Sequence, residues 1–372
     1  MKLCVIAGEA SGDLHAAAVI HELKRLQPGL ELFGIGGDRL VREGLKTSQD
    51  FQKLGVVGLF NVFRQLPMFR RLFRETVADI EREKPDAVLL VDYPGFNLRL
   101  ARRCRAMGVK VIYYISPQVW AWKQSRVRDI ASFVDLLIVI FPFERDFFQR
   151  HQVKAEYLGH PLVEQLEHVR REGGQSPSDP LRIALMPGSR RMEIETLLPE
   201  MVRAVAILAK SRAVTAFVIR AETIASEQLQ TTLAGSSIPI EIRQGREALR
   251  DGDLCLCSSG TATLEAAVVG VPTIVLYRLS PLTFILAKRL VHLPFFSLIN
   301  IVGEREIAPE LLQSQVTGEE IARKAEEILQ PERYARTLED LAMVRSRLGD
   351  PGASARAAGR IDSFLRSNES QR

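Results

Sequence analysis

The apolar residues of this chain fall in runs of strand length that are apolar at every position rather than at every second one. In the first half these runs are Leu3–Ala7, Leu32–Ile35, Ala87–Val91, Val109–Ile115 and Leu136–Phe141. A strand with one wet face alternates apolar and polar side chains, whereas a strand covered on both faces need not. Between several of the runs lie segments with apolar residues three and four apart, the period of a helix with one buried face. Strand, helix, strand in that order gives parallel strands joined by crossovers, with helices on both faces of the sheet. The expected fold class is therefore α/β with doubly wound parallel sheets.

The pattern breaks near Arg171. The segment Glu172-Gly173-Gly174-Gln175-Ser176-Pro177-Ser178-Asp179-Pro180 has the composition of a linker. A second series follows: Leu181–Met186, Val214–Arg220, Ile238–Ile242, Leu254–Cys257 and Thr273–Tyr277. No sequence repeat links the halves, but the architecture repeats. With 372 residues and roughly 100–200 residues per domain, two Rossmann-like domains with a cleft between them are expected. Their spans are 1–172 and 173–345, followed by a helical tail, 346–372, that packs back on the first domain or on a partner chain.

Composition narrows the function. Net charge is +5 and the sequence pI about 9.1, a small excess with arginines spread widely. The one concentration is Arg64–Arg74, without the basic and aromatic clustering of a nucleic-acid surface. A membrane surface or phosphorylated substrates fit this balance better. Cys4, Cys104, Cys255 and Cys257 form no C-x-x-C pair and sit in apolar segments, as buried thiols do in a reducing compartment. The N-terminal apolar run is too short for a signal peptide, and nothing approaches the ~18 apolar residues of a membrane span. The expectation is a cytoplasmic protein that touches a membrane only from outside.

Ligands of open parallel sheets bind beyond the carboxyl ends of the strands, so the residues after each run carry the chemistry. After the first run comes Gly8-Glu9-Ala10-Ser11-Gly12-Asp13, then a helix. Small residues permit close backbone approach and the helix start offers N–H groups, although the Lys-Ser/Thr ending of a P-loop is missing. A tight turn with Asp13 near a cap is the plainer alternative. Gly34-Ile35-Gly36-Gly37 lacks the dinucleotide spacing and reads as a turn. The second half opens with Met186-Pro187-Gly188-Ser189-Arg190-Arg191-Met192-Glu193, where a guanidinium beside backbone N–H groups suits a phosphate. Ser258-Ser259-Gly260-Thr261-Ala262-Thr263-Leu264-Glu265 follows a buried run and starts a helix. Its hydroxyls and N–H groups form an anion cradle, and Glu265 one turn on can accept from a ribose diol. An N-cap by Thr261 or Thr263 is the competing account. Asp251-Gly252-Asp253 looks like a metal ligand pair but precedes its strand, at the opposite end from the ligand edge.

Three further features belong to the first half. Leu89-Leu90-Val91-Asp92-Tyr93-Pro94-Gly95-Phe96-Asn97 puts a carboxylate at the end of a buried strand, costly unless partnered or used, and suited to a general base. Ser116-Pro117-Gln118-Val119-Trp120-Ala121-Trp122 places both tryptophans at the same edge, as a platform for a sugar or acyl group or as a core corner. In the stretch Gly55–Glu75, Phe69, Leu72, Phe73 and Ile80 share a helical face, with Arg70, Arg71 and Arg74 on others. That is the pattern of a helix lying in a membrane interface, or of an ordinary core helix.

In this order, these motifs resemble those of lipid-A-disaccharide synthase, a glycosyltransferase family of the GT-B fold. Gly159-His160-Pro161, Tyr277-Arg278 and Ser297-Leu298-Ile299-Asn300 complete the set over nearly the whole chain. Gly95 stands where other members carry a second acidic residue, so the acidic role rests on Asp92, and Ile299 replaces a proline. The resemblance implies transfer of 2,3-diacylglucosamine from its UDP donor to the 6-hydroxyl of 2,3-diacylglucosamine 1-phosphate, with inversion and release of UDP. It implies no metal or other cofactor, a peripheral position on the bacterial inner membrane, and dimers that exchange C-terminal segments. Asp92 would be the general base. The donor side would comprise Gly188, Ser189, Arg190, Glu193, Ser259, Gly260, Thr261, Ala262, Thr263, Glu265, Tyr277 and Asn300. The acceptor side would comprise Ser11, Gly12, Asp13, Asn97, Gln118 and Trp120. Two other readings stay open: a UDP-sugar 2-epimerase-like enzyme, and a non-catalytic protein that binds nucleotide or lipid.

Overall fold

The apolar runs become strands of two six-stranded sheets in which every pairing is parallel; eight of the runs are central and two, Leu32–Ile35 and Ile238–Ile242, lie at an edge. The computed structural model describes residues 1–47, 62–122, 124–171, 176–279, 284 and 293–369. The chain divides into one unit of Met1–Pro161 with Gly352–Arg372 and another of Leu162–Pro351.

In the first unit β1 (Lys2–Ala7), β2 (Glu31–Ile35), β3 (Ala87–Val91), β4 (Lys110–Tyr114), β5 (Leu136–Val139) and β6 (Ala155–Tyr157) lie in the order β2-β1-β3-β4-β5-β6. All five side chains of β3 are inaccessible to water, as burial on both faces requires. The helices are α1 (Ala10–Leu26), α2 (Asp38–Arg42), α3 (Val62–Glu83), α4 (Pro94–Ala106), α5 (Arg126–Phe133) and α6 (Pro142–Arg150). The last helix, Ala353–Glu369, packs along α1. It is fastened by Gln27 Nε2 donating to Asp362 Oδ1 at 2.6 Å and by Arg360 Nε donating to Glu156 Oε2 at 2.6 Å.

The second unit starts within α7 (Pro161–Leu166). It contains β7 (Leu181–Met186), β8 (Val214–Arg220), β9 (Ile240–Gln244), β10 (Leu254–Ser258), β11 (Thr273–Tyr277) and β12 (Glu310–Leu312), in the order β12-β11-β10-β7-β8-β9. Its core joins β7, β8 and β10 to α8 (Arg191–Leu208) through Leu185, Leu198, Met201 and Val205, among others. Each such side chain contributes about 1.5–3 kcal/mol by leaving water. The other helices used below are α9 (Ser226–Leu233) and α10 (Thr261–Val269).

The units divide at Pro161 and Pro351 rather than after 172 and 345. Residues on either side of 172–175 are tied to the fully buried Asp253. That carboxylate accepts from Arg171 Nη2 at 2.6 Å and Arg182 N at 2.9 Å, and also from Ser178 Oγ. The same bonds consume the one carboxylate of Asp251-Gly252-Asp253 that is buried.

Each sheet has one point where successive crossovers leave in opposite directions, and the loops there diverge into a crevice. In the first unit it lies between β1 and β3, so the Gly8 loop meets the Asp92 turn. In the second it lies between β7 and β10, so the Gly188–Arg190 loop meets the Ser259–Thr263 segment.

Candidate active site

The end of β3 turns sharply. Asp92 has φ 47° and Tyr93 φ 46°, the left-handed region that costs a non-glycine residue roughly 1–3 kcal/mol. The turn is held from several sides. Asp92 N donates to Tyr114 O at 3.2 Å, and the Asp92 carbonyl accepts from Tyr113 Oη at 2.6 Å and Asn97 Nδ2 at 2.8 Å. Pro94 then opens α4, where its missing N–H costs nothing. Gly8 lies under the ring of Tyr93: a Cβ on it would stand 2.5 Å from Tyr93 Cδ1. The Asp92 carboxyl is pushed up to about 7, first by burial and then by the charge of Glu9, against a hydrogen bond from the Tyr93 N–H. A carboxyl poised there can take a proton near neutral pH and give it up again.

Other residues expected on this edge are differently employed. α1 begins at Ala10, so Ser11, Gly12 and Asp13 lie in its first turn; Ser11 is exposed and Gly12 buried. Asp13 is a cap rather than a ligand group. Its carboxylate accepts from Gly37 N at 2.7 Å, Arg39 N at 3.1 Å and Leu40 N at 3.2 Å, satisfying the start of α2. Asn97 is fully buried, with its amide donated to the Val91 and Asp92 carbonyls instead of a substrate. Trp120 is a core corner, not a platform. It is buried edge-on against Phe143 at 4.9 Å, and its Nε1 donates to Glu144 at 3.1 Å. Gln118 is exposed, and Trp122 remains 41% exposed with Arg126 over its ring at 5.5 Å.

In the second unit Gly188 has φ 117°, and a Cβ there would fall 2.2 Å from Glu193 Oε2. That oxygen accepts from Ser189 N at 3.0 Å and Arg190 N at 3.2 Å. The backbone N–H groups expected to meet a phosphate are thus taken by Glu193, a residue of the first turn of α8. The Arg190 guanidinium is also paired with Glu193, its Nη1 3.4 Å from Oε1, although the arginine side chain is 82% exposed. Tyr277 is half-buried against the ring of Phe296 at 6.2 Å.

α10 starts at Gly260 (φ 148°) with no side-chain cap, so neither threonine caps it. The cradle is mostly backbone. Thr263 Oγ1 turns in to Gly260 O at 2.8 Å and Ser259 Oγ to Phe296 O at 3.2 Å. That leaves Thr261, which is exposed, and the N–H groups of Thr261 and Ala262 at the helix start, since Thr263 N donates to Gly260 O at 3.2 Å. Glu265 is buried with Arg246 Nε 3.3 Å from its Oε1, and burial raises its pKa against that arginine. Asn300 is fully buried and its amide is spent. Oδ1 accepts from Ile307 N at 2.7 Å and Ala308 N at 2.9 Å, while Nδ2 donates to Ala308 O and Glu310 Oε1, each at 2.8 Å. It shapes the segment behind Ser259.

A family model described as lipid-A-disaccharide synthetase matches residues 3–357. The lipid-A-disaccharide synthases of Myxococcus xanthus and Trichlorobacter lovleyi are 39% and 38% identical to this chain, each over 98% of it and 97% of the relative. This chain belongs to the lipid-A-disaccharide synthase family. Solved structures add the fold at lower identity. A Staphylococcus aureus MnaA–UDP co-structure has a TM-score of 0.66 at 13% identity, covering 98% of this chain and 96% of that one. The spinosyn rhamnosyltransferase SpnG has a TM-score of 0.57 at 14% identity, covering 95% and 98%.

Two carboxylates of this family member escaped sequence reasoning. Glu144 is buried on α6 and accepts from Ser116 Oγ at 2.7 Å, Trp120 Nε1 at 3.1 Å, Phe141 N at 3.0 Å and Ile140 N at 3.2 Å. Burial pushes it up to about 7 against those four bonds. Its signal was Phe141-Pro142-Phe143-Glu144, a proline at a helix start with a glutamate two residues on. Glu310, at the start of β12, accepts from Phe296 N and Ser297 N at 2.9 Å and from Ser297 Oγ at 2.6 Å.

The arginine-rich helix is mixed. Leu72 is not a lipid contact, because it is buried in the core with Thr76, Val77 and Ile80. Phe73 packs edge-on against Phe96 at 5.5 Å and Phe69 is half-buried. Arg70, Arg71 and Arg74 are exposed, with Arg71 Nε 2.7 Å from Glu75. The upstream residues Gly55–Asn61 lie outside the described residues. Among the described residues no helix is long and apolar enough to cross a membrane, and no acidic, histidine or cysteine cluster forms a metal site. A hollow of about 580 Å³ in the second unit, lined by Lys324, Glu327, Arg333 and Arg336 among others, includes neither crevice loop.

Proposed function

We propose that this chain is an inverting glycosyltransferase that moves 2,3-diacylglucosamine from its UDP donor to the 6-hydroxyl of 2,3-diacylglucosamine 1-phosphate. The observation that carries the reading is Asp92, a carboxyl raised to about 7 on a strained turn at the crevice of the first sheet. Asp92 takes the proton of the acceptor hydroxyl as its oxygen bonds to the anomeric carbon. The carbon–oxygen bond to the diphosphate breaks and the electron pair leaves with UDP. One displacement from the opposite face inverts the centre. The charge that grows on the diphosphate is met by Arg190 and by the first-turn N–H groups of α10, donors already in place before the reaction. Glu265, held by Arg246, faces the ribose.

The acyl chains of both substrates anchor them in a bilayer, so the enzyme works at its surface. The proposed contact consists of Phe69, Phe73, Arg70 and Arg74, with the apolar side chains entering and the cations meeting anionic headgroups. Co-sedimentation with anionic liposomes should drop for Phe69→Glu with Phe73→Glu. Unchanged binding by the folded variant removes this contact.

One assay tests the reaction: UDP release from the diacylated donor in EDTA, with and without the acylated sugar phosphate. Acceptor-dependent release is expected. Consumption of UDP-N-acetylglucosamine without an acceptor would favour an epimerase-like enzyme, and nucleotide binding without release a non-catalytic binder.

A further inference from the structure

We infer that Tyr113 is a positioning residue for this reaction, its hydroxyl fixing the peptide of Asp92 and through it the aim of the carboxylate. The inference rests on the reading of Asp92 as general base. The conformation at Asp92 and Tyr93 is one the chain does not favour, with φ near +46° at two successive side-chain-bearing residues. Such a pair persists only where its surroundings determine it. The sheet holds one side, through Asp92 N and Tyr114 O at 3.2 Å. The other side is held by the Tyr113 hydroxyl on the Asp92 carbonyl oxygen at 2.6 Å, with Asn97 Nδ2 on the same oxygen at 2.8 Å.

Three features make Tyr113 more than a partner for a stray carbonyl. It comes from the neighbouring strand, in register with Leu90, so its ring is fixed by the sheet and not by the turn it serves. It is fully buried, with no water to compete for the hydroxyl. Burial, reinforced by the Asp92 charge, also keeps the phenol protonated and therefore a donor. The Asn97 amide is braced in turn by Val91 O at 3.2 Å. With the carbonyl pinned, rotation of the peptide, and with it the Cα–Cβ direction of Asp92, is restricted to one orientation. A base that drifts by about an ångström loses on the order of 100-fold in rate.

The test is Tyr113→Phe, which removes the hydroxyl and keeps the ring. Expected is a fall in kcat of about 10- to 100-fold with KM for the UDP donor unchanged. In an Asp92→Asn background the same substitution should leave residual turnover unaltered, because the group acts only through the base. A kcat within about twofold of the parent overturns the inference, as does a loss repeated in full in the Asp92→Asn background, which marks general damage. If Asp92→Asn itself keeps normal turnover, the assignment of the base fails and this inference with it. If Asp92→Asn is inactive while Tyr113→Phe is not, only the positioning role is lost. Should Tyr113→Phe fail to fold, Asn97→Ser removes the second donor to the same oxygen and carries the same expectations.

Discussion

The crevice edges of the two sheets solve opposite electrostatic problems. On the first, desolvation acts on carboxyls: half-buried Asp92 and fully buried Glu144 are both pushed up to about 7 by burial. On the second, a cation stays largely in water and the start of α10 is not capped by a side chain: Arg190 is 82% exposed, paired only at the surface with Glu193 at 3.4 Å. A group that must gain a proton benefits from desolvation, which raises its affinity for one. A group that must meet a doubly charged leaving group benefits from keeping its charge and reach. On the proposed reading, the same Rossmann-like scaffold presents a proton acceptor in one unit and an anion receptor in the other. The difference lies in which side chains follow the strands.

The sharpest way to break this contrast is Asp92→Asn. Turnover should fall about 10³-fold, the range of a lost general base, while UDP affinity, which the proposal assigns to the second unit, stays within error in a calorimetric titration. For the parent enzyme kcat/KM should fall tenfold per pH unit below about 7 and flatten above it, because only the ionised carboxylate accepts a proton. A flat profile from pH 5 to 8 would take the base role from Asp92.

Within the second unit, shape and charge separate. Asn300→Leu should cost about 3 kcal/mol of stability in denaturant melts, since it strips partners from buried groups at Ile307 and Ala308. Any rise in donor KM would then track lost structure behind Ser259. Arg190→Ala should do the reverse. Donor kcat/KM should fall about 10- to 100-fold, or roughly 1.4–2.8 kcal/mol, with stability changed by less than about 0.5 kcal/mol. Equal stability losses in the two variants would mean that Arg190 is structural after all.

The sequence made most strands legible because burial on both faces leaves short apolar runs bounded by polar or turn residues, although Ala204–Leu208 in α8 shows that a buried helix can carry such a run too. It hid β6 and β12, whose three residues each include a glutamate and are too short to form a run. Asp92 was legible because a carboxylate directly after such a run has no ordinary excuse. Asp13, Asn97, Trp120 and Asn300 each sit where a ligand group would sit, and each is bonded to backbone or a carboxylate that the sequence did not announce. For Asp13 that backbone is 24 to 27 residues away, and for Trp120 the carboxylate is 24 residues away. For Asn97 the partners are 5 and 6 residues away and for Asn300 7 to 10. Glu144 was missed from the other side of the same contact. Spacing within one element can be read from a sequence, but long-range satisfaction of polar groups cannot.

The smallest predicted effect runs against the largest. Folded Asp92 and Glu144 hold protons up to about pH 7, whereas unfolded they release them near their ordinary values of 3.8 and 4.5. Between those limits the folded chain binds more protons than the unfolded one. The contribution of this pair to stability is therefore present at low pH, is lost as the pH rises through about 7, and stays lost above it. Asp92→Asn removes one share of that penalty, so the inactive variant should be the more stable protein at pH 8. The gain should be no more than about 1 kcal/mol, because the carboxyl is only half-buried and solvent screens it. It should shrink toward zero by pH 4, where the parent carboxyl is protonated in the folded state. Thermal melts of both proteins across this range would read the difference directly. A variant no more stable than its parent at pH 8 would mean that Asp92 keeps its charge at no cost, and the first crevice would then be as well solvated as the second.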